Sequence, residues 1–120
     1  RNRKIQHTTV PRIRYRLYGF SVVRELEGHG IGKGMHEAPG IPNYGRRGHG
    51  ARLVDGMTIC IEPMINAGKK DVYLARNGWA VHTADHKNAA HYELTVVIRK
   101  GKAELLSTFD FIEKDGNIKF

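Results

Sequence analysis

Four glycines alternate with other residues at positions 28, 30, 32 and 34, and His29 and His36 stand within and just beyond that run. Alternating glycine does not suit a helix, where each one costs about 1 kcal/mol relative to alanine. It suits extended backbone that passes close to something else or takes up positive φ. Two imidazoles carried on such backbone point to a metal or substrate site. The alternative is a glycine-rich loop whose histidines are simply solvated.

Two carboxylates add to the imidazoles. Glu62 falls on the polar side of an alternating stretch, Met57 to Glu62, directly before Pro63. The proline restricts Glu62 to extended backbone and offers no N–H, so it marks a strand end or edge. A carboxylate on stiff backbone can serve as a fixed ligand, whereas an exposed glutamate on a half-buried strand is the ordinary case. Glu93 shares one face of its strand with His91, Thr95 and Val97, opposite Tyr92, Leu94, Val96 and Ile98. A carboxylate beside Val97 needs a cation to be buried cheaply. A metal ion would provide it, and so would an arginine. His29, Glu62 and Glu93 make a mixed nitrogen and oxygen set, suited to Mn²⁺, Fe²⁺, Co²⁺ or Zn²⁺, and the lack of thiolates in it argues against a structural zinc. Cys60, mid-strand and without a histidine evident beside it, reads as a small filler on the polar face.

The motifs GHGIG, MHEAP, PNYG, IEPM, NAGKK and NGW follow one another between Gly28 and Trp79. With the strand AAHYELTVVI, Ala89 to Ile98, they resemble the C-terminal catalytic half of the type I methionine aminopeptidases, which are pita-bread metallopeptidases. The likeness runs from about Gly19 to Leu106. It implies an α+β domain of which residues 19–120 are the C-terminal half, mainly antiparallel β, preceded by a basic arm, residues 1–18, unlike the family. It further implies removal of N-terminal methionine from nascent proteins by two-metal hydrolysis in the cytoplasm. Two divalent ions would be bridged by a carboxylate like Glu93, with His29 and Glu62 completing one of them. Glu62 would also pass a proton from the attacking water to the leaving amine. His36 would bind the substrate carbonyl or the oxyanion, a contact worth roughly 3 kcal/mol. Met35 and Trp79 match positions lining a slot for the thioether side chain, a favourable contact for sulfur and aromatic groups; ordinary core packing is the alternative for Trp79.

One feature of the family is missing. Its other two ligands are a pair of aspartates, and no acidic residue precedes Glu25. Three of five expected ligands are therefore present, and the chain by itself is expected to be inactive, a truncated copy. Leu94 also replaces the histidine that many relatives carry after the bridging glutamate. The alternatives are a non-catalytic pita-bread binding module and a prolidase-like metallopeptidase. Other signatures fail: Lys33 is followed by Gly34 and not Ser or Thr, which excludes a Walker loop, and Gly40 stands where a zincin needs its second histidine.

The elements that must position these groups are short. Phe20 to Arg24 reads as a strand, Gly28 to Gly34 as extended loop, and Pro39 to Gly50 as turns. Met57 to Glu62, Trp79 to Thr83 and Ala90 to Arg99 read as further strands, the last turning at Lys100-Gly101-Lys102 into Ala103 to Ser107. With 120 residues, 40% of them apolar and 27% charged, this is one globular domain or part of one. No run of about 18 apolar residues is present to span a membrane, and the single cysteine permits no internal disulfide. The net charge of +8 is concentrated: residues 1–17 carry six bases and no acid, leaving +2 for the rest. Such an arm is usually a solvated tail; a phosphate-rich surface such as the ribosome is the partner it would suit.

Overall fold

The computed structural model of the chain describes residues 18–46, 48–100 and 102–115. The arm at residues 1–17 and Gly101 of the expected turn lie outside the described residues. The strands are β1 (Ser21–Val22), β2 (Gly28–Gly30), β3 (Glu37–Ile41), β4 (Thr58–Ile61), β5 (Met64–Asn66), β6 (Val72–Leu74), β7 (Val81–Thr83), β8 (Ala89–His91), β9 (Leu94–Arg99) and β10 (Lys102–Leu105). One short helix, α1 (Asp110–Asp115), follows. All registered strand pairs are antiparallel, in sheets ordered β10-β9-β4-β2-β3, β1-β5-β8 and β6-β7. Among the described residues this is the mainly antiparallel architecture expected.

The core lies on the largest sheet. Ile59, 1% exposed, packs with Ile41, Leu53, Val96 and Ile98, and Met57 and Ile61 close over them. The alternation of Met57, Ile59 and Ile61 thus turns one face of β4 inward, as expected, and each such side chain contributes roughly 1.5–3 kcal/mol when fully buried. Val97 and Cys60 are buried on the opposite face, so β4 and β9 are covered on both sides.

Three elements differ from expectation. Ala90 to Arg99 is not one strand but two, β8 and β9, which belong to different sheets. The break has a partner: Ile61 pairs with Leu94 and Met64 with His91, so Glu62-Pro63 and Tyr92-Glu93 face each other between two ladders. Tyr92 N–H donates to Pro63 O at 3.2 Å. Pro63, lacking an N–H, cannot return a bond, and both strands leave the sheet together at this step. The second difference is β3, a strand where turns were expected. It is an edge strand, which tolerates Pro39, and a bulge sets Ala38 and Pro39 opposite the His29–Gly30 step. Third, the glycine run is not loop throughout, because Gly28 and Gly30 form β2, between β3 and β4.

That position explains both glycines. A Cβ on Gly28 would run into the carbonyl oxygen of Cys60, and one on Gly30 into that of Ala38. Gly28→Ala or Gly30→Ala is therefore expected to cost about 1–3 kcal/mol, the range for overpacking a filled site, measured as a lowered urea midpoint. A second outcome concerns Asp85, which accepts N–H bonds from Lys69 at 2.7 Å and Lys87 at 3.3 Å. The Lys69 bond above all holds its carboxyl below the ordinary 3.8. A depressed carboxyl contributes above its unfolded value and loses that contribution as pH falls through the folded one. The Lys69 amide should accordingly lose protection from hydrogen exchange below about pH 3.8, and Asp85→Asn should abolish that pH dependence.

Candidate metal centre

His29 stands on β2, beside the β4 strand that ends at Glu62. Its Nδ1 lies 2.9 Å from Gly30 O. A carbonyl only accepts, so Nδ1 carries the proton and Nε2 of the neutral ring presents a lone pair. That lone pair lies 3.4 Å from Glu62 Oε1. Two acceptors thus face each other, an arrangement that a second imidazole proton or a metal ion would relieve. A ligating histidine that donates its other N–H to a backbone carbonyl is the usual arrangement at metal sites.

Glu62 is held from several sides. It leaves β4 at the proline break, and Asn43, itself 2% exposed, donates through Nδ2 to the Glu62 backbone carbonyl at 3.1 Å. This gives the PNYG stretch its structural task. The second carboxylate oxygen of Glu62 lies 3.5 Å from His91 Nε2. Glu93, in the matching break of the neighbouring strand, accepts a 2.7 Å hydrogen bond from Cys60 Sγ. Burial, then the Glu93 bond and the charges of Glu93 and Glu62, push the Cys60 thiol from 9.0 up to about 12, with Thr95 opposing. At neutral pH the thiol is protonated and inert.

Two groups could hold a metal among the described residues: His29 with Cys60 and Glu62, and Glu62 with His91 and Glu93. Within each, the ligand atoms all lie within 4.8 Å of one another. The donor set fits a divalent ion. Neither group contains an aspartate, and Glu62 belongs to both. Sequence reasoning missed His91 and set Cys60 aside as a filler. The signal for His91 was present, since it stands two residues before Glu93 on the same expected face.

A groove of about 870 Å³ opens beside these groups, lined among others by His29, His36, Glu62, Trp79, His82 and His91. The His36 ring is tilted 53° against His29 with centroids 4.2 Å apart. Trp79 is 87% exposed, which excludes core packing for it. It sits in the turn between β6 and β7, where Asn77 Oδ1 accepts the N–H groups of Trp79 and Ala80, each at 3.0 Å. Met35 is exposed and outside the groove lining, and Glu93 too is absent from that lining. No described helix is long and apolar enough to cross a membrane.

The sequence profile of metallopeptidase family M24 matches residues 3–100. Methionine aminopeptidase of Clostridium perfringens is 52% identical over 89 residues, 74% of this chain and 36% of that protein. That of Escherichia coli K12 is 46% identical over 100 residues, 83% of this chain and 36% of the relative. Among solved structures, methionine aminopeptidase of Rickettsia prowazekii superposes with a TM-score of 0.72 at 44% identity, over 75% of this chain and 37% of that one. The Thermotoga maritima enzyme gives 0.72 at 44% identity, over 76% and 36%. The chain thus spans little more than a third of the length of these relatives. A profile match over most of the chain, together with a solved fold shared at this identity, places it in metallopeptidase family M24.

Proposed function

We propose that this chain forms one wall of a methionine aminopeptidase active site, acting on the N-terminal methionine of peptides. The observation that carries the reading is the meeting of His29, Glu62 and His36 at one groove, with Trp79 over it and Glu93 within reach of the same carboxylate. His29, Glu62 and Glu93 would hold part of a two-ion centre; when bound, such a pair activates a water molecule and polarises the scissile carbonyl. Glu62, which lies between two imidazoles, would take the proton of that water and deliver it to the leaving amine. His36, which lines the groove beside His29, donates to the carbonyl oxygen as it gains charge. Trp79 offers its ring to the methionine thioether. Met35, outside the lining, takes no part in this account of the pocket.

The test joins this chain from Gly19 onward to the N-terminal part of the E. coli relative. Methionine release from Met-Ala-Ser is then measured with added Mn²⁺ or Co²⁺, alongside bound metal. The hybrid is expected to turn over, and a hybrid that binds metal yet releases no methionine refutes the reading. Glu93→Ala should remove the metal, and His29→Ala or Glu62→Ala should weaken one position and most of the activity. His36→Ala should keep the metal and lower kcat by about 10²–10³, the loss of one transition-state donor.

A further inference from the structure

The groove has a second side, formed by the β6–β7 hairpin and the turn that follows it. The acids in its lining, Glu27 and Glu62, belong to the stretches around His29 and the proline break, whereas the hairpin and turn contribute His82, His86 and Lys87 and no acid. Both imidazoles lean on one ring. Tyr73, paired with His82 across the ladder, stacks on it with centroids 5.5 Å apart and 28° between the planes, and meets His86 edge-on at 6.3 Å. Among the described residues neither imidazole has a hydrogen-bond partner for its ring nitrogens. Each ring, neutral or protonated, therefore has at least one N–H to give, and Lys87 adds an ammonium.

The turn that carries His86 is held in place at a cost. His86 has φ 58°, in the left-handed region that side chains other than glycine enter with strain. Its N–H donates to Thr83 O at 3.2 Å, and Thr83 Oγ1 donates to Lys87 O at 2.7 Å. Asp85 feels the charge of Lys87, but its oxygens accept the N–H groups of Lys69 and Lys87, and it stays out of the groove lining. Asn66 Nδ2 fixes the Lys69 carbonyl in turn, at 2.9 Å. Glycine would fit position 86 without strain, so a histidine there points to a use for its ring. Reach sets that use. Lys87 stands four residues before His91, whose Nε2 lies 3.5 Å from Glu62. Four residues of chain span at most about 14 Å, a length that an extended peptide with its first residue at Glu62 covers with its next four. We propose that His82, His86 and Lys87 form a subsite for an acidic side chain at the third to fifth residue of a peptide substrate. The two imidazoles donate to that carboxylate and Lys87 supplies opposite charge. The inference rests on the proposed function for the peptide and the place of its first residue, and adds a preference among substrates.

Trp79 is the one tryptophan of the chain and lies exposed on the same groove, so its fluorescence reads occupancy in the whole chain. The titrants are Met-Ala-Glu-Glu-Glu and Met-Ala-Gln-Gln-Gln, both amidated at the C-terminus, at neutral pH and an ionic strength of about 0.15 M. The acidic peptide is expected to bind about fivefold more tightly, the gain of a few exposed charge-assisted contacts. His82→Gln combined with His86→Gly should bring the two peptides within about twofold of each other. His86→Gly alone should not lower the urea midpoint, because it relieves left-handed backbone, so lost preference cannot be put down to lost folding. Equal binding of the two peptides to the unsubstituted chain overturns the inference and leaves the proposed function standing. A preference that survives the double variant overturns it too, assigning the effect to the general positive charge of the chain. An oligonucleotide that outcompetes the acidic peptide at the same ionic strength overturns it in favour of a nucleic-acid partner. A chain that binds neither peptide also overturns it, and methionine release by the hybrid then judges the proposed function separately.

Discussion

The structure depends on a missing hydrogen bond. Pro63 has no N–H to give to the strand beside it, and the ladder that runs through Ile61 and Leu94 stops there, to resume at Met64 and His91 in another sheet. Both chains bend at the same level, and each presents a glutamate at the bend. Ile61 with Leu94 and Met64 with His91 keep one register across the break, which puts Glu62 opposite Glu93 with both side chains on one face, where they share neighbours. Asn43 then fixes the bend from the far side by its bond to the Glu62 carbonyl. The carboxylates are placed by backbone, which costs little side-chain entropy when an ion arrives.

Electrostatics completes what the backbone begins. With Nδ1–H of His29 committed to Gly30 O, the other nitrogen of the neutral ring offers a lone pair, and it faces an acceptor. Glu62 meets a second imidazole through its other oxygen, and Glu93 takes the thiol proton of Cys60. Every polar group at this centre is therefore aimed at a place where positive charge would be stabilised. The neutral thiol is the part kept out of play, since burial and the two nearby carboxylates push it well above neutrality.

Much of what meets at the candidate centre was legible in the sequence because its cues are local. The Glu-Pro step announced a strand end, and alternation around Ile59 announced which face of β4 turns inward. The glycines announced close approach, and the carbonyl oxygens of Cys60 and Ala38 are what approach. What stayed hidden is what pairing across strands decides. Nothing in Ala90 to Arg99 itself signals the break at Tyr92-Glu93, because its cause is Pro63 on the neighbouring strand. Pro39 read as a turn because its tolerance comes from lying on an edge, a property of sheet order rather than of local sequence. Cys60 looked idle for the same reason: both of its neighbours, Glu93 and His29, arrive from other strands.

The order of strands in the largest sheet also bears on how the chain reaches its native state. β4 must capture β2 on one side, with Gly30 opposite Ile59, and β9 on the other, with Thr58 opposite Val97, both far away along the chain. Pairings of that separation close long loops before they return any contact, and they form late and slowly. His29 rides on β2, Cys60 and Glu62 on β4 or its end, and Glu93 at the start of β9, so the centre is assembled only when all three strands have met. Partly folded chains would accordingly hold an ion poorly, and metal added during refolding acts on the equilibrium through the finished fold alone. Were these groups to take up an ion, its uptake would be a clock for completed folding, read out at the last pairing to form.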